Sequence, residues 1–260
     1  MSSNPVTKLV AFCGRIVLSS VFHLGHYSLL SIRALVLAIL PPWRIRSIFR
    51  QMELVGVNSL FVVILTGLFT GAVFTLQVIY GFRRFSAESM VGPTVATAMT
   101  RELGPVLTAL MVTGRVGSAM AAELSAMKVT EQIDALNVMG ADPVKYLITP
   151  RILAAIVMLP LLTAVADAVG VIGGYLVAIG KGLDPGQFAS RIQDIVVIGD
   201  VYNGLIKAAV FGFILASVGC YMGFYTKGGA EGVGHSTTHA VVCAYVAILV
   251  GDFVMTAMMF

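Results

Sequence analysis

The sequence predicts an all-α integral membrane protein: about five transmembrane helices, an N-terminal amphipathic interfacial helix, and one polar connection between spans two and three. Three observations carry this. The chain is 58% hydrophobic and 12% charged, with a mean hydropathy of +0.92, whereas soluble domains are about a quarter charged. It contains several apolar stretches longer than the roughly 20 residues that cross a bilayer. A helix-patterned, charged segment at 115–149 separates two of them.

The N-terminal region, 1–53, differs from the rest. Its apolar stretch 16–32 carries Ser19, Ser20, His23, His26, Ser28 and Ser31. Lys8 and Arg15 precede it, and Arg33, Arg44, Arg46 and Arg50 follow. A spanning helix there would leave positive charge on the outer side, against the positive-inside tendency. A helix lying in the inner interface and turned by Pro41-Pro42-Trp43 is expected, with a sixth span as the alternative. No small-residue cleavage site follows, so no cleavable signal peptide is expected.

The remaining 54–260 is read as a single domain with spans at about 54–82, 89–114, 150–180, 201–226 and 239–260. The first carries no charge. The second carries Arg101-Glu102 at its centre, the third Asp167, the fourth Lys207 and the fifth Asp252. Gly67-xxx-Gly71 and Gly170-xxx-Gly174 allow close helix approach, either within the chain or between copies. Pro160 lies mid-span and is expected to kink the third helix. With the N-terminus inside, Lys8, Arg15, Arg33, Arg44, Arg46, Arg50, Arg115, Lys128, Lys145, Arg151 and Lys227 lie inside. Only Arg83, Arg84, Lys181 and Arg191 lie outside. That asymmetry predicts a cytoplasmic N-terminus and an outer C-terminus, and it explains the +4 net charge without nucleic acid.

The connection 115–149 reads as two short helices. Met120, Leu124 and Met127 share one face, with Glu123 and Lys128 elsewhere. Ile133, Leu136 and Met139 then recur at helical spacing until Gly140 and Asp142-Pro143 stop the run. Thr149-Pro150 is expected to cap the next span. One sizeable polar connection in so apolar a chain is expected to be a docking surface.

Several chemistries are set aside. Cys13, Cys220 and Cys243 are isolated in apolar stretches and read as packing residues. Gly180-Lys181-Gly182 lacks the glycine spacing and the Ser or Thr of a phosphate-binding loop, so any ATP hydrolysis belongs to another polypeptide. Glu231, His235 and His239 are four apart, but Gly228, Gly229, Gly232 and Gly234 argue against a rigid metal-binding helix, and no metal is expected. No paired nucleophile and base inside the spans points to an intramembrane enzyme. The charges within the spans are the strongest chemical signal, since each costs about 2.5–3.5 kcal/mol near the bilayer centre. They must face protein or a watery cavity. A Glu102–Lys207 pair with Arg101 near Asp252 is expected, either as a packing network or as a site.

The ordered residues Arg101-Glu102-Leu103-Gly104-Pro105, Gly114-Arg115, Gly117-Ser118-Ala119, Ala122-Glu123, Met127, Glu131-Gln132, Met139-Gly140-Ala141-Asp142-Pro143 and Pro150-Arg151 resemble the MlaE-type (YrbE-like) permease family. The resemblance runs from about residue 55 to 260 and is weak before that. The family forms the membrane subunit of ABC lipid transporters working with MCE-domain proteins. It implies a homodimer in the bacterial inner membrane, a cytoplasmic ABC ATPase like MlaF, a periplasmic MCE protein like MlaD and a small STAS protein like MlaB on the ATPase. It further implies movement of phospholipid between the inner membrane and the periplasmic MCE pathway that maintains outer-membrane lipid asymmetry. No cofactor is bound by this chain; ATP is used by the partner.

The resemblance also assigns residues. Arg101, Glu102, Asp200, Lys207 and Asp252 fall where the family carries the same charges, beside an outward-open lipid cavity at the dimer centre. Phe74, Gln77, Tyr80, Phe82, Phe85 and Leu103 fall where that cavity has its apolar lining. Arg115, Glu123, Met127, Thr130, Glu131 and Asp134 fall in or beside the coupling helix that meets the ATPase. Asp167 has no recognised counterpart, and the family places basic residues where His235 and His239 stand. The competing reading is an ion or proton channel using the intramembrane charges.

Overall fold

The computed structural model describes residues 5–41 and 44–259. Pro42 and Trp43, and with them the expected Pro41-Pro42-Trp43 turn, lie outside the described residues, as do the side chains of Lys8 and Cys13. Every regular element among the described residues is helical. The helices are α1 (Pro5–Ile39), α2 (Ile45–Val55), α3 (Leu60–Arg83), α4 (Val91–Ala98), α5 (Gly104–Val112), α6 (Ser118–Val129), α7 (Gln132–Val138), α8 (Thr149–Gly180), α9 (Pro185–Ile195), α10 (Ile198–Phe224) and α11 (Gly229–Met259).

By length and composition, six helical runs suffice to cross a membrane: Val21–Ile39, Ile45–Arg83, Glu88–Val129, Val144–Gly180, Ile198–Phe224 and Gly229–Met259. Five overlap the expected spans. The sixth is the second half of α1, and its contacts show how it lies. His23 Nδ1 is 3.1 Å from the Tyr221 hydroxyl, Tyr27 is hydrogen-bonded to Ser217 at 2.7 Å, and the His26 ring meets Tyr225. Arg33 pairs with Asp142 at 2.9 Å, and the Thr149 hydroxyl donates to the Ala34 carbonyl. These partners all lie near the last turns of α10, the first turn of α8 or the connection before it. The helix therefore crosses one end of the bundle instead of running its length, as an interfacial helix would.

Three π-helical segments interrupt the α-helical runs, at Met99–Leu103, Thr113–Gly117 and Val144–Ile148. In each, an amide donates five residues back: Gly104 to Met99, Ser118 to Thr113, and Thr149 to Val144. Two boundaries differ from the sequence reading for this reason. The polar connection does not begin at Arg115, because the second π segment carries span two straight into α6. Thr149 does not cap α8, because the third π segment leads into it and the Thr149 hydroxyl is spent on the Val144 and Ala34 carbonyls. Within the connection, Met120, Leu124 and Ile133 are buried as the periodicity predicted. Met139 is not, and lies exposed at the end of α7 beside Val138.

The middle of the bundle is α8, on which α2, α3, α5 and α10 pack. Its contact with α3 is backbone against backbone. A side chain at Gly67 would come 2.8 Å from the Ala166 carbonyl, and one at Gly71 would overlap the backbone of Gly170. One at Gly173 would come 2.5 Å from the Leu68 carbonyl, while one at Gly174 would meet the Thr75 hydroxyl. The two glycine motifs thus face each other within one chain, and their small faces are occupied by each other. Pro160 lies inside α8.

Replacing Gly71 with Ala should destabilise the protein by about 1–3 kcal/mol, the usual effect of overpacking a close contact. Gly81, on the same helix with nothing near it, should tolerate Ala without loss. Thermal midpoints of the two purified variants compare these directly, and equal behaviour would contradict the packing described.

Candidate functional site

The intramembrane charges converge. Lys207 Nζ lies 2.8 Å from both carboxylate oxygens of Glu102 and 3.1 Å from Asp252 Oδ1. It also lies 2.7 Å from the Thr256 hydroxyl and 3.2 Å from the Arg101 carbonyl. Its side chain is 0% exposed. Arg101 Nη2 pairs with Asp200 Oδ1 at 2.7 Å. The Glu102–Lys207 pair is the expected one. Asp252 joins the same ammonium, and the partner of Arg101 is Asp200, where the sequence reading had set Arg101 beside Asp252.

Local sequence explains the convergence. Asp200 and Lys207 are seven apart on α10 and so share a face, as do Asp252 and Thr256, four apart on α11. The π segment Met99–Leu103 turns Arg101 and Glu102 toward these two helices. Pro105 has no amide hydrogen, so the Arg101 carbonyl, its α-helical partner, is available to Lys207. Gly204 completes the approach, since a side chain there would strike the Thr100 carbonyl. Lys207 lies about 13 Å along α10 from Ile198, and Asp252 about 10 Å along α11 from Met259. The cluster is thus buried well below the end where α8 stops and α10 begins, opposite the polar connection.

Beside it runs a groove of about 400 Å³ lined by Phe69, Thr70, Val73, Phe74, Gln77 and Leu103. Leu103 belongs to the same π segment as Arg101 and Glu102, so one short stretch of backbone contributes to both the groove and the charge cluster. Of the residues named for an apolar lining, Phe74, Gln77 and Leu103 are in this groove. Tyr80 and Phe85 are exposed at and just beyond the C-terminal end of α3, and Phe82 packs in a separate cluster with Ile79, Val91 and Phe188. Thr256, Phe69, Thr70 and Val73 were missed. Thr256 was findable as the residue one turn beyond Asp252. Asp167 is outside the cluster: it is buried against Gly104, and its Oδ1 has no hydrogen-bond partner among the described residues.

The residues named for coupling lie at the opposite end, and several have partners within the chain. Arg115 donates to the Ser59 hydroxyl at 2.8 Å and to the Leu54 carbonyl. Glu123 holds Arg151 at 2.7 Å, and Asp134 holds Lys128 at 2.9 Å. The Thr130 hydroxyl donates to Ala126, and Met127 is half-buried against the core. Glu131 is exposed, with a left-handed backbone at φ +58° that turns α6 into α7. A hydroxyl chain, Ser125 to Thr226 to Ser236, ties α6 to the α10–α11 turn. The Glu231 and His235 side chains are exposed and 3.8 Å apart. Among the described residues no three His, Cys, Asp or Glu side chains converge on a metal position.

Removing one partner of a buried ion pair costs about 3–5 kcal/mol, whereas replacing the whole set can be neutral. Lys207→Met alone should therefore lower stability markedly by leaving two carboxylates without their cation. The triple variant Glu102→Gln, Lys207→Met, Asp252→Asn should recover most of the loss. Thermal unfolding of the purified variants checks this, and a triple variant no better than the single one would refute it.

The chain matches the family model described as Permease MlaE over residues 48–258. It is 48% identical over 239 residues to a probable ABC transporter permease protein of Rickettsia conorii, covering 91% of this chain and 92% of that one. It is 42% identical over 222 residues to the chloroplastic protein Trigalactosyldiacylglycerol 1 of Arabidopsis thaliana, covering 83% and 62%. It is 41% identical over 213 residues to the intermembrane phospholipid transport system permease protein MlaE of Haemophilus influenzae, covering 81% and 82%. With its helical spans, its central charge cluster and a family match over most of its length, the chain belongs to the MlaE family of ABC transporter permeases.

Proposed function

We propose that the chain is the membrane subunit of an ATP-driven phospholipid transporter of the inner membrane. It works as a homodimer with a separate cytoplasmic ABC ATPase and its small STAS partner, and it exchanges lipid with an MCE protein on the outer side. The N-terminus and the connection that contains α7 face the cytoplasm, and the C-terminus faces outward. The observation that carries the reading is the exposure of Arg101 and Glu102, 38% and 37%, part-way along the bundle and next in sequence to Leu103 of an open apolar groove. Charges at that depth cannot face acyl chains. A surface that is polar at Arg101 and Glu102 and apolar from Leu103 onward suits an amphiphile with a charged head and a hydrocarbon tail. The phospholipid transport named for the Haemophilus relative agrees with it. A conducting channel fits less well, because the Lys207 ammonium is held on several sides.

ATP-driven closure of the ATPases presses on the connection. Two links lead from there into the spans. One is the unbroken run from α6 through the π segment Thr113–Gly117 to Arg101 and Glu102. The other is the close packing of α6 on α10, where side chains at Gly219 and Gly223 would meet the Gly117 and Ala121 carbonyls at 3.0 and 2.7 Å. The exposed tip of the connection is Glu131 with Val138 and Met139, the latter two 89% and 80% exposed. Glu123 and Asp134 act within the connection by holding Arg151 and Lys128, so their reversal disturbs the fold as well as any partner contact.

Two experiments follow. A photoreactive residue in place of Phe74 should crosslink phospholipid in membranes, while one at Val157, exposed elsewhere on α8, should capture several-fold less. Equal labelling at both would remove the groove from the lipid path. Glu131→Lys with Val138→Asp and Met139→Asp should abolish co-purification of the ATPase with an unchanged thermal midpoint. Undiminished co-purification would rule out this tip as the ATPase contact.

A further inference from the structure

The phospholipid reading leaves the head group unspecified, and the charge arrangement narrows it. The cluster contains two cations, Arg101 and Lys207, and three carboxylates, Glu102, Asp200 and Asp252. The Lys207 side chain is fully enclosed. Its ammonium faces Glu102, Asp252, the Thr256 hydroxyl and the Arg101 carbonyl, so a lipid phosphate cannot reach it without dismantling the cluster. Lys207 is therefore a positioning residue. Its role is to hold the carboxylates in place, not to receive an anion.

The accessible part of the cluster is made by the groups that retain exposure: the Arg101 guanidinium, the Glu102 carboxylate and, at 20%, Asp252. One cationic and one acidic group, Arg101 and Glu102, stand on consecutive residues of a single π segment, and Asp252 joins them from α11. A carboxylate accepts several hydrogen bonds, and Glu102 can take a donor from the cavity while bound to Lys207. Asp200, 8% exposed, offsets the Arg101 charge. A head group with a net negative charge would add to a surplus of carboxylates where water screens poorly.

Building on the phospholipid reading, we propose that this site selects a zwitterionic phospholipid whose head carries a primary ammonium. The phosphate lies on the Arg101 side and the ammonium on Glu102 and Asp252. A primary ammonium brings three N–H donors to these carboxylates, which a trimethylated head lacks, and the tails continue into the groove at Phe74 and Leu103.

The test uses the full-length protein in vesicles of equal parts phosphatidylethanolamine and phosphatidylglycerol, then extraction and native mass spectrometry of retained lipid. Phosphatidylethanolamine should be enriched roughly tenfold, a preference of about 1.4 kcal/mol. Glu102→Gln should bring the ratio close to that of the bath while the number of bound lipids stays the same. Should that variant fail to assemble, the wild-type protein in equal parts phosphatidylethanolamine and phosphatidylcholine decides, with the primary amine again retained in excess. Retention in bath proportions in both wild-type mixtures, or enrichment of phosphatidylglycerol, would overturn the head-group assignment and leave the phospholipid reading intact. No retained lipid in any mixture would overturn both.

Discussion

An ammonium group in the interior of a membrane protein must find carboxylates, because the hydrocarbon around it offers neither water nor counter-ion. Lys207 meets this requirement by drawing Glu102 from one helical run and Asp252 with Thr256 from another onto α10. Three segments distant in sequence are thereby fixed at one depth and one rotation. The same constraint decides which polar groups stay accessible. Once Lys207 is enclosed, the outer faces of its partners, with Arg101 held by Asp200, are what remains exposed. The arrangement that makes the bundle's polar centre tolerable thus leaves part of its polarity accessible.

Backbone irregularity places this centre. A regular α-helix carries consecutive residues about 100° apart and leaves no carbonyl unpaired. The π segment Met99–Leu103 and Pro105 relax both conditions, presenting Arg101 and Glu102 together and exposing a carbonyl to Lys207. π segments recur at functional positions for this reason. One also acts at Arg115, so the run joining connection to charge cluster is continuous but not uniform, and another precedes α8.

Much of this was legible in the sequence. Hydropathy located the spans, and charges in apolar runs identified Arg101, Glu102, Lys207 and Asp252 because burying them is so costly. The glycine motifs announced close contacts but not the partner; only the register of α3 against α8 shows that each motif fills the other. The pairing of Arg101 was not legible, since depth along a helix is readable from sequence while rotation about its axis is not. Asp200 sits at the first turn of α10, where an acidic residue also suits the helix dipole, so nothing in its spacing singled it out. The π segments left no periodic trace. Extra residues in a turn shift the pattern without breaking it, which is why span two and α6 read as separate elements.

The position of α1 bears on how the protein is made. Its partners Ser217 and Tyr221 lie 190 and 198 residues further along the chain. At about 5–20 residues per second, roughly 10–40 s of synthesis separate the emergence of α1 from that of the surface it rests on. Until Asp142 and Thr149 follow, 109 and 115 residues after their partners in α1, the helix has none of these contacts to cover its apolar face, so the membrane interface must hold it. It takes its final place only when the fourth span is complete.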